Sequence, residues 1–282
     1  MVSCCVVCNS LMEALREEEY DLQVHSVFHQ AANFSSPIGL ITLLAPQKGV
    51  QPFSAVLKYP FPFEDLPKEG MRVGAEGIFG NEDILFSFKD AKKRSLKLEA
   101  PPAWKAEALE SLLVFLQRHR EKGLVEMAFG EQNSIYAEFL APRLRQFRMA
   151  ARQKKQRETV EAAWQMAGCG TGLTPSSDDL LCGYLAGIWP VWPRSLVRRV
   201  ADKAASRTND ISGALLRQAG AGRFSWDILQ VIWYMEGECT DGQLESALEK
   251  VACFGSSSGC DFLTGLYFGI QDALESSINK KI

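Results

Sequence analysis

Two stretches decide the reading of this chain: Thr174-Pro-Ser-Ser-Asp-Asp-Leu-Leu-Cys-Gly-Tyr-Leu-Ala-Gly-Ile188 and Ser256-Ser-Ser-Gly-Cys-Asp-Phe-Leu-Thr-Gly-Leu-Tyr-Phe-Gly-Ile270. Laid over each other without a gap, Ser176 falls on Ser258, Asp179 on Asp261, Gly183 on Gly265 and Gly187 on Gly269. Leucines and aromatics fill the slots between. A match at every special residue in one register reads as an internal repeat of a loop and the helix it opens. In each copy, glycines four apart make a G-x-x-x-G ridge along which two helix backbones can approach closely. The simplest arrangement packs the two helices on each other and brings both N-terminal loops to one end, where they share a site.

The residue types at that end suit an anion. Gly168, Gly170 and Gly172 allow positive φ and close approach. Pro175 suits a first helical turn with Thr174 as N-cap, while Ser176 with Asp179, and Ser258 with Asp261, fit the S-x-x-D capping box. Both registers stay open. A glycine-rich loop entering a helix presents free N–H groups at the positive end of the dipole, with hydroxyls as further donors. The expected anion- or substrate-binding set is Gly170, Gly172, Thr174, Ser176 and Ser177 in the first loop and Ser257, Ser258, Gly259 and Asp261 in the second. Between them stand Thr208 and Ser212, four apart and so on one helical face, and Arg217 or Arg223 as a guanidinium fork. The alternative is that the glycines serve packing and the hydroxyls serve capping alone. Neither the G-x-G-x-x-G spacing nor a P-loop lysine is present.

Asp178 and Asp179 are the expected catalytic carboxylates. One acid in a first turn caps; a second repels it unless it pairs or binds a cation. Asp178 has no counterpart in the second loop, where Cys260 stands, and reads as a base or a ligand for Mg²⁺ or a monovalent cation. No resident cofactor and no metal site are predicted.

Outward from these loops the texture divides. Asp21 to Ala100 is β-like, with runs at Gln23–His29, Gly39–Leu44, Ala55–Tyr59, Gly70–Ile78, Ile84–Phe88 and Ser95–Leu98. Turn formers separate them: Ser35-Ser36-Pro37, Pro46, Pro60, Pro62 and Gly80-Asn81. After Pro101-Pro102 the spacing is helical: Trp104–His119, a long Ile135–Met166 interrupted near Pro142, then Asp178–Ile188, Ser195–Ala219, Ser225–Met235, Asp241–Ala252 and Cys260–Ser276. The predicted fold class is α+β, with an all-β domain (small barrel or sandwich) over residues 1–100 and a larger all-α domain over 101–282 carrying the repeat.

A net charge of -3 gives no basic excess to attract nucleic acid or an acidic membrane surface. Met1 to Ser10 lacks a positive n-region and does not read as a signal peptide; no apolar run is long enough to span a bilayer, and the expected compartment is the cytoplasm. Cys5 and Cys8 form the one metal-like spacing, beside Cys4, with no second pair to complete it. Cys169, Cys182, Cys239, Cys253 and Cys260 are expected as small reduced core residues. Arg143, Arg145, Arg148, Arg152, Lys154, Lys155 and Arg157 read as a solvated helical face or as a docking surface for an acidic partner. His25, His29 and His119 show no triad or metal spacing.

The pattern Gly168-x-Gly-x-Gly-Leu-Thr-Pro-Ser-x-Asp-Asp-x-Leu-x-Gly183 resembles the hallmark of the third-subunit family of oxamate carbamoyltransferase, long filed as a domain of unknown function. Ser212 to Phe224, with Leu-Leu-Arg-x-Ala-x-x-Gly-x-Phe, is similar to that family, as is Gly255 to Gly265; Val24 to Phe28 resembles it loosely. Ser177 stands where many relatives carry glycine. The resemblance implies one subunit of a heteromeric complex in allantoin and purine breakdown. That complex converts oxalurate and phosphate into oxamate and carbamoyl phosphate. Its expected partners are these anions and the other subunits, with no nucleic acid and no membrane. The alternatives are a non-catalytic subunit that binds an anion and organises the complex, and a stand-alone module for an acidic metabolite.

Overall fold

A computed structural model describes the chain except Lys68, Asn81, Glu82, Glu238, Cys239 and residues 279–282. The expected turn residue Asn81 and core residue Cys239 lie outside the described residues. The chain divides into two compact units, Met1–Lys97 with Phe224–Trp226, and Leu98–Arg223 with Asp227–Ile282.

The first unit holds β1 (Val2–Cys8), the short helix α1 (Asn9–Ala14), β2 (Tyr20–Phe28), β3 (Ala31–Ser36), β4 (Gly39–Leu44), β5 (Ser54–Leu57), β6 (Met71–Gly74), β7 (Gly77–Gly80), β8 (Asp83–Ser87) and β9 (Lys92–Arg94). The strand order is β5-β4-β3-β2-β6-β7-β8-β1, and β1 pairs back to β5, so eight strands close into a barrel with β9 as an extra strand on β1. Closure removes the open edges that a sheet of short strands would otherwise expose. Val7, Phe34, Ile41, Leu43, Leu57, Val73 and Ile78 are fully buried. Phe224–Trp226 belongs here because Phe224 N–H donates to Leu96 O at 3.0 Å, Trp226 N–H to Val50 O at 2.9 Å, and the Arg94 guanidinium lies 3.5 Å over the Trp226 ring.

The β texture thus begins earlier than its apparent start near Asp21. β1 pairs antiparallel with β5 and parallel with β8 and β9, and its burial does not alternate. Within it Cys4 and Cys8 are buried, while Cys5 Sγ reaches the Val56 and Leu57 carbonyls. The register of β1 against β5 shifts between Cys4 and Val6, at Cys5. The expected single run Gly70–Ile78 is a hairpin, β6–β7, with Gly74 paired to Gly77. Ser35 and Ser36 end a strand rather than form the turn, and the last strand is Lys92–Arg94, pairing Val6–Cys8, rather than Ser95–Leu98.

The second unit is helical: α2 (Ala106–Arg118), α3 (Ile135–Arg152), α4 (Gln156–Met166), α5 (Ser176–Ile188), α6 (Arg194–Ala205), α7 (Asp210–Gly220), α8 (Trp226–Glu236, whose first residue belongs to the barrel unit), α9 (Asp241–Ala252) and α10 (Ser258–Ile278). α3 passes through Pro142, which removes one helical hydrogen bond. The break comes instead at Gln153 to Lys155, where Lys154 takes φ +58 and Lys155 N–H returns to Ala150 O. The expected helix Ser195–Ala219 is two, because Asn209 caps α7 by accepting from Ser212 N–H at 3.0 Å. Cys182 and Cys260 are buried as expected; Cys253 is exposed at the end of α9 and Cys169 half-buried, which corrects the core assignment for both.

α5 and α10 lie parallel with their glycines in backbone contact. A Cβ on Gly183 would sit 1.9 Å from Phe262 O, one on Gly265 1.9 Å from Leu180 O, and one on Gly269 2.4 Å from Tyr184 O. The obstacles are carbonyls of helical backbone, which cannot swing aside as a side chain can. Gly265→Ala should therefore lower stability by roughly 1–3 kcal/mol through overpacking. Gly242→Ala, in an exposed helical turn with nothing near the added carbon, should be neutral or slightly stabilising. Urea unfolding of the full chain measures both; equal midpoints for Gly265→Ala and wild type would rule out the backbone contact.

Candidate functional site

Parallel packing places the start of α5 beside the start of α10, and the two exchange side-chain hydrogen bonds. Asp179, on α5, accepts from Ser258 at the start of α10 and from Thr174. Thr174 Oγ1 and Ser258 Oγ are 2.8 Å apart. Asp261, on α10, is hydrogen-bonded by Ser176 at the start of α5, by Ser257 at 2.9 Å and by the Leu124 amide at 2.6 Å. Each serine serves the aspartate of the other helix. The two capping registers expected for α5 are therefore not used: its N-cap is Pro175, without a side-chain cap.

The backbone donors at the start of α5 are engaged internally as well. Ser177 N–H donates to Cys169 O at 3.0 Å, and the Asp178 and Asp179 amides donate to Pro175 O. Gly170, at φ +136, folds the loop so closely onto the helix that a Cβ there would lie 2.3 Å from Ser176 N. Gly172 is exposed with open space around it, beside the exposed Leu173.

Asp178 occupies a different position from Asp179. It is 0% exposed, and its oxygens accept from Gly168 N–H at 2.8 Å, Ser212 Oγ at 2.8 Å and Thr208 Oγ1. Ser177 Oγ lies 3.4 Å from it and accepts from Cys169 N–H at 2.9 Å. These donors account for a second acid in one helical turn: Asp178 ties the glycine loop to the α7 start. Thr208 and Ser212 do converge, although Thr208 precedes the helix rather than sharing a helical face. Arg217 is exposed, with its Nη1 near Gly213 and its side chain making no hydrogen bond or ion pair to the described residues, so the structure does not bring it to the carboxyls. Gly259 faces the end of α9, where a Cβ would meet Val251 O at 1.7 Å; it serves packing.

Burial pushes the Asp179 carboxyl up to about 8, against the pull of the Ser258 and Thr174 hydroxyls and with the neighbouring Asp261 and Asp178 charges adding to the rise. Burial likewise raises Asp261 to about 6, opposed by the Leu124 amide and the Ser176 and Ser257 hydroxyls. Both carboxyls are thus shifted toward the protonated form, Asp179 further than Asp261. Gly123, at φ +53, has no carbon where one would sit 2.1 Å from Asp261 Oδ1. Nothing in the sequence around Gly123-Leu124 signals that role.

A further buried carboxyl in this unit carries no signal in the two loops. Asp272 is 2% exposed and accepts from Tyr184 Oη at 2.8 Å, from Arg148 Nε at 2.9 Å and Nη2 at 2.6 Å, and from Arg152 Nη2 at 2.6 Å. The basic run is thus partly pinned and not simply a solvated face. The signal was a lone acid in the apolar run Phe262–Ala273, opposite arginines spaced to share one helix face. Among the described residues no cluster of His, Cys, Asp and Glu has the arrangement of a metal site, and no helix is long and apolar enough to cross a membrane.

Two family models match this chain. The one described as oxamate carbamoyltransferase subunit AllH covers residues 166–270, and the one described as the AllH family N-terminal domain covers residues 2–101. The first contains both serine–aspartate segments and the second the barrel. No solved structure matches the chain.

The raised carboxyls give stability a definite pH dependence. A carboxyl whose pKa is higher folded than unfolded binds more protons in the folded state, so stability falls as pH rises between the two values. Asp179 and Asp261 should both contribute to the fall from about pH 4 to 6, and Asp179 alone from about 6 to 8, at up to about 1.4 kcal/mol per pH unit for each group. Asp179→Asn should remove the alkaline part of the slope. Thermal unfolding from pH 5 to 8 reads this directly, and a wild-type melting temperature that does not fall over that range would contradict the protonated assignment.

Proposed function

Because the chain belongs to the AllH family of oxamate carbamoyltransferase subunits, we propose that it works in a complex converting oxalurate and phosphate into oxamate and carbamoyl phosphate, with Asp179 and Asp261 as its proton-transfer pair. The observation that carries this reading is the reciprocal arrangement: two buried carboxyls, cross-bonded by Ser176 and Ser258, with affinities for a proton pushed apart. Such a pair suits a reaction that needs an acid and a base at one pH.

The proton accounting fits. Phosphate oxygen forms a bond to the carbamoyl carbon while the bond from that carbon to the oxamate nitrogen breaks, its electron pair passing to nitrogen. That nitrogen gains a proton, and hydrogen phosphate loses one. In this reading protonated Asp179 gives its proton to the leaving nitrogen and ionised Asp261 takes the one from phosphate. Thr174, Ser257 and Ser258 orient substrate oxygens, with Gly170 and Gly172 shaping the loop above them. Asp178, Thr208, Ser177 and Ser212 act one step removed, by holding the loop in place.

A second reading, a non-catalytic subunit that organises the complex, is favoured by a separate observation: the α5 amides expected to bind an anion already donate to Cys169 O and Pro175 O. One experiment separates the two. Co-expressed with the partner subunits, the wild-type chain should support carbamoyl phosphate formation from oxalurate, and the chain alone should not. Asp179→Asn and Asp261→Asn should each lower kcat by roughly 10²–10⁴-fold while complex assembly is retained. Asp179→Asn should also abolish the alkaline limb of the pH profile near pH 8. Full activity in assembled Asp179→Asn complex would sink the catalytic reading and leave the organising one.

A further inference from the structure

We infer that Lys122 is the phosphate-binding residue of the serine–aspartate centre, holding the phosphate that attacks the carbamoyl carbon against Ser257 and Asp261; the assignment rests on the carbamoyl-transfer reading above. That reading brings two anions to a centre built from three aspartates. An anion set beside an ionised carboxylate is repelled unless a positive charge stands within a few ångströms.

The partners of the basic residues in this unit separate one from the rest. Arg148 and Arg152 are paired with Asp272, and Arg223 Nη1 donates to Gln218 Oε1 at 3.1 Å. Arg143 lies near the glycine loop, where its charge opposes the rise that burial gives the Cys169 thiol. Its guanidinium is already held, however, by Phe139 O at 2.7 Å and 3.5 Å over the Phe139 ring. Lys122 is exposed, and its side chain makes no hydrogen bond or ion pair to the described residues.

The backbone fixes Lys122 beside the centre. Its N–H donates to His119 O at 2.9 Å, and its O accepts from Val125 N–H at 3.2 Å. The next residue is Gly123, whose φ of +53 and missing side chain let the chain touch Asp261: a Cβ there would lie 2.1 Å from Oδ1 and 2.9 Å from Oδ2. Leu124 N–H then donates to Asp261 Oδ1 at 2.6 Å. Consecutive Cα atoms are about 3.8 Å apart, so the four-carbon stem of Lys122 is rooted close enough to reach the oxygens around Asp261. Its charge already acts at the start of α10. Burial pushes the Cys260 thiol, next to Asp261, up to about 11, and Lys122 pulls it down against Asp261, Glu249 and Cys253.

Asp261 is 0% exposed, so phosphate meets it through Ser257, which is half-buried and whose hydroxyl donates to Asp261 Oδ2 at 2.9 Å. Phosphate held by Lys122 gives its proton to the Ser257 oxygen while Ser257 passes its own to Asp261. The hydroxyl ends as it began, and the phosphate oxygen is free to bond to the carbamoyl carbon. A lysine suits the task, being a compact charge with three rotatable donors on a flexible stem.

Steady-state kinetics of the assembled complex test the proposal, with inorganic phosphate and oxalurate varied in turn. Lys122→Gln should raise KM for phosphate roughly 10–100-fold, the loss of one charge-assisted contact, while KM for oxalurate and the melting temperature stay as in wild type. Lys122→Arg should recover most of the loss, and Arg145→Gln, which removes an exposed charge on α3, should leave both constants alone. An unchanged phosphate KM in Lys122→Gln would overturn the inference, as would an equal rise for both substrates, no recovery in Lys122→Arg, or failure of Lys122→Gln to co-purify with the partner subunits. Asp179→Asn keeps this failure distinct from that of the underlying reading. If Asp179→Asn is inactive and Lys122→Gln binds phosphate normally, the lysine assignment alone falls; if the assembled Asp179→Asn complex is fully active, both fall.

Discussion

The backbone contact between α5 and α10 is the constraint on which the helical unit depends. Gly183, Gly187, Gly265 and Gly269 remove the side chains that would hold the two axes apart, and the helices run parallel. Parallel helices place their positive ends side by side, an arrangement that repels unless negative charge or acceptors sit at that end. Asp178, Asp179 and Asp261 are the residues found there, each close to a helix start and each supplied with hydroxyl or amide donors. The acids are thus required by the packing before any chemistry is assigned to them, and what distinguishes them is whether their donors come from a loop or from the other helix.

Much of this was legible because it is local. Glycines four residues apart, serine and aspartate three apart, and the matched register of the two segments are visible in the sequence, and the parallel pairing that they suggest is the one the structure has. The short apolar run Gly39–Leu44, read as a strand, has the observed bounds. The strand reading missed Val2–Cys8, whose burial does not alternate, and merged β6 with β7 because the turn between Gly74 and Gly77 is only two residues long.

What the sequence could not show is which partner a polar group chooses. Ser176 and Asp179 fit a capping box, yet Ser176 serves Asp261, since the neighbouring helix start is closer to hand than its own first turn. Asp178 reads as a reactive carboxylate for want of a counterpart; its donors are Gly168, ten residues before it, and Thr208 and Ser212, 30 and 34 residues after it. Long-range partners decided the basic run too. Arg148 and Arg152 meet Asp272 more than a hundred residues later, while the exposed Arg145 keeps the solvated character that the pattern implied.

The exchange of serines between the two helices also sets an order of events in the life of the molecule. Thr174 and Ser258 are 84 residues apart, so α5 is complete long before the chain that will finish its surroundings has been made. Until α10 docks, Asp179 has no Ser258, and the groove along Gly183 and Gly187 lies open to water. In a chain emerging from the ribosome, the centre comes into being in the same step as the last large burial of the helical unit. Substitutions accepted over time face the same coupling, because a change in either aspartate strands a hydroxyl on the opposite helix, so the two segments must drift as one.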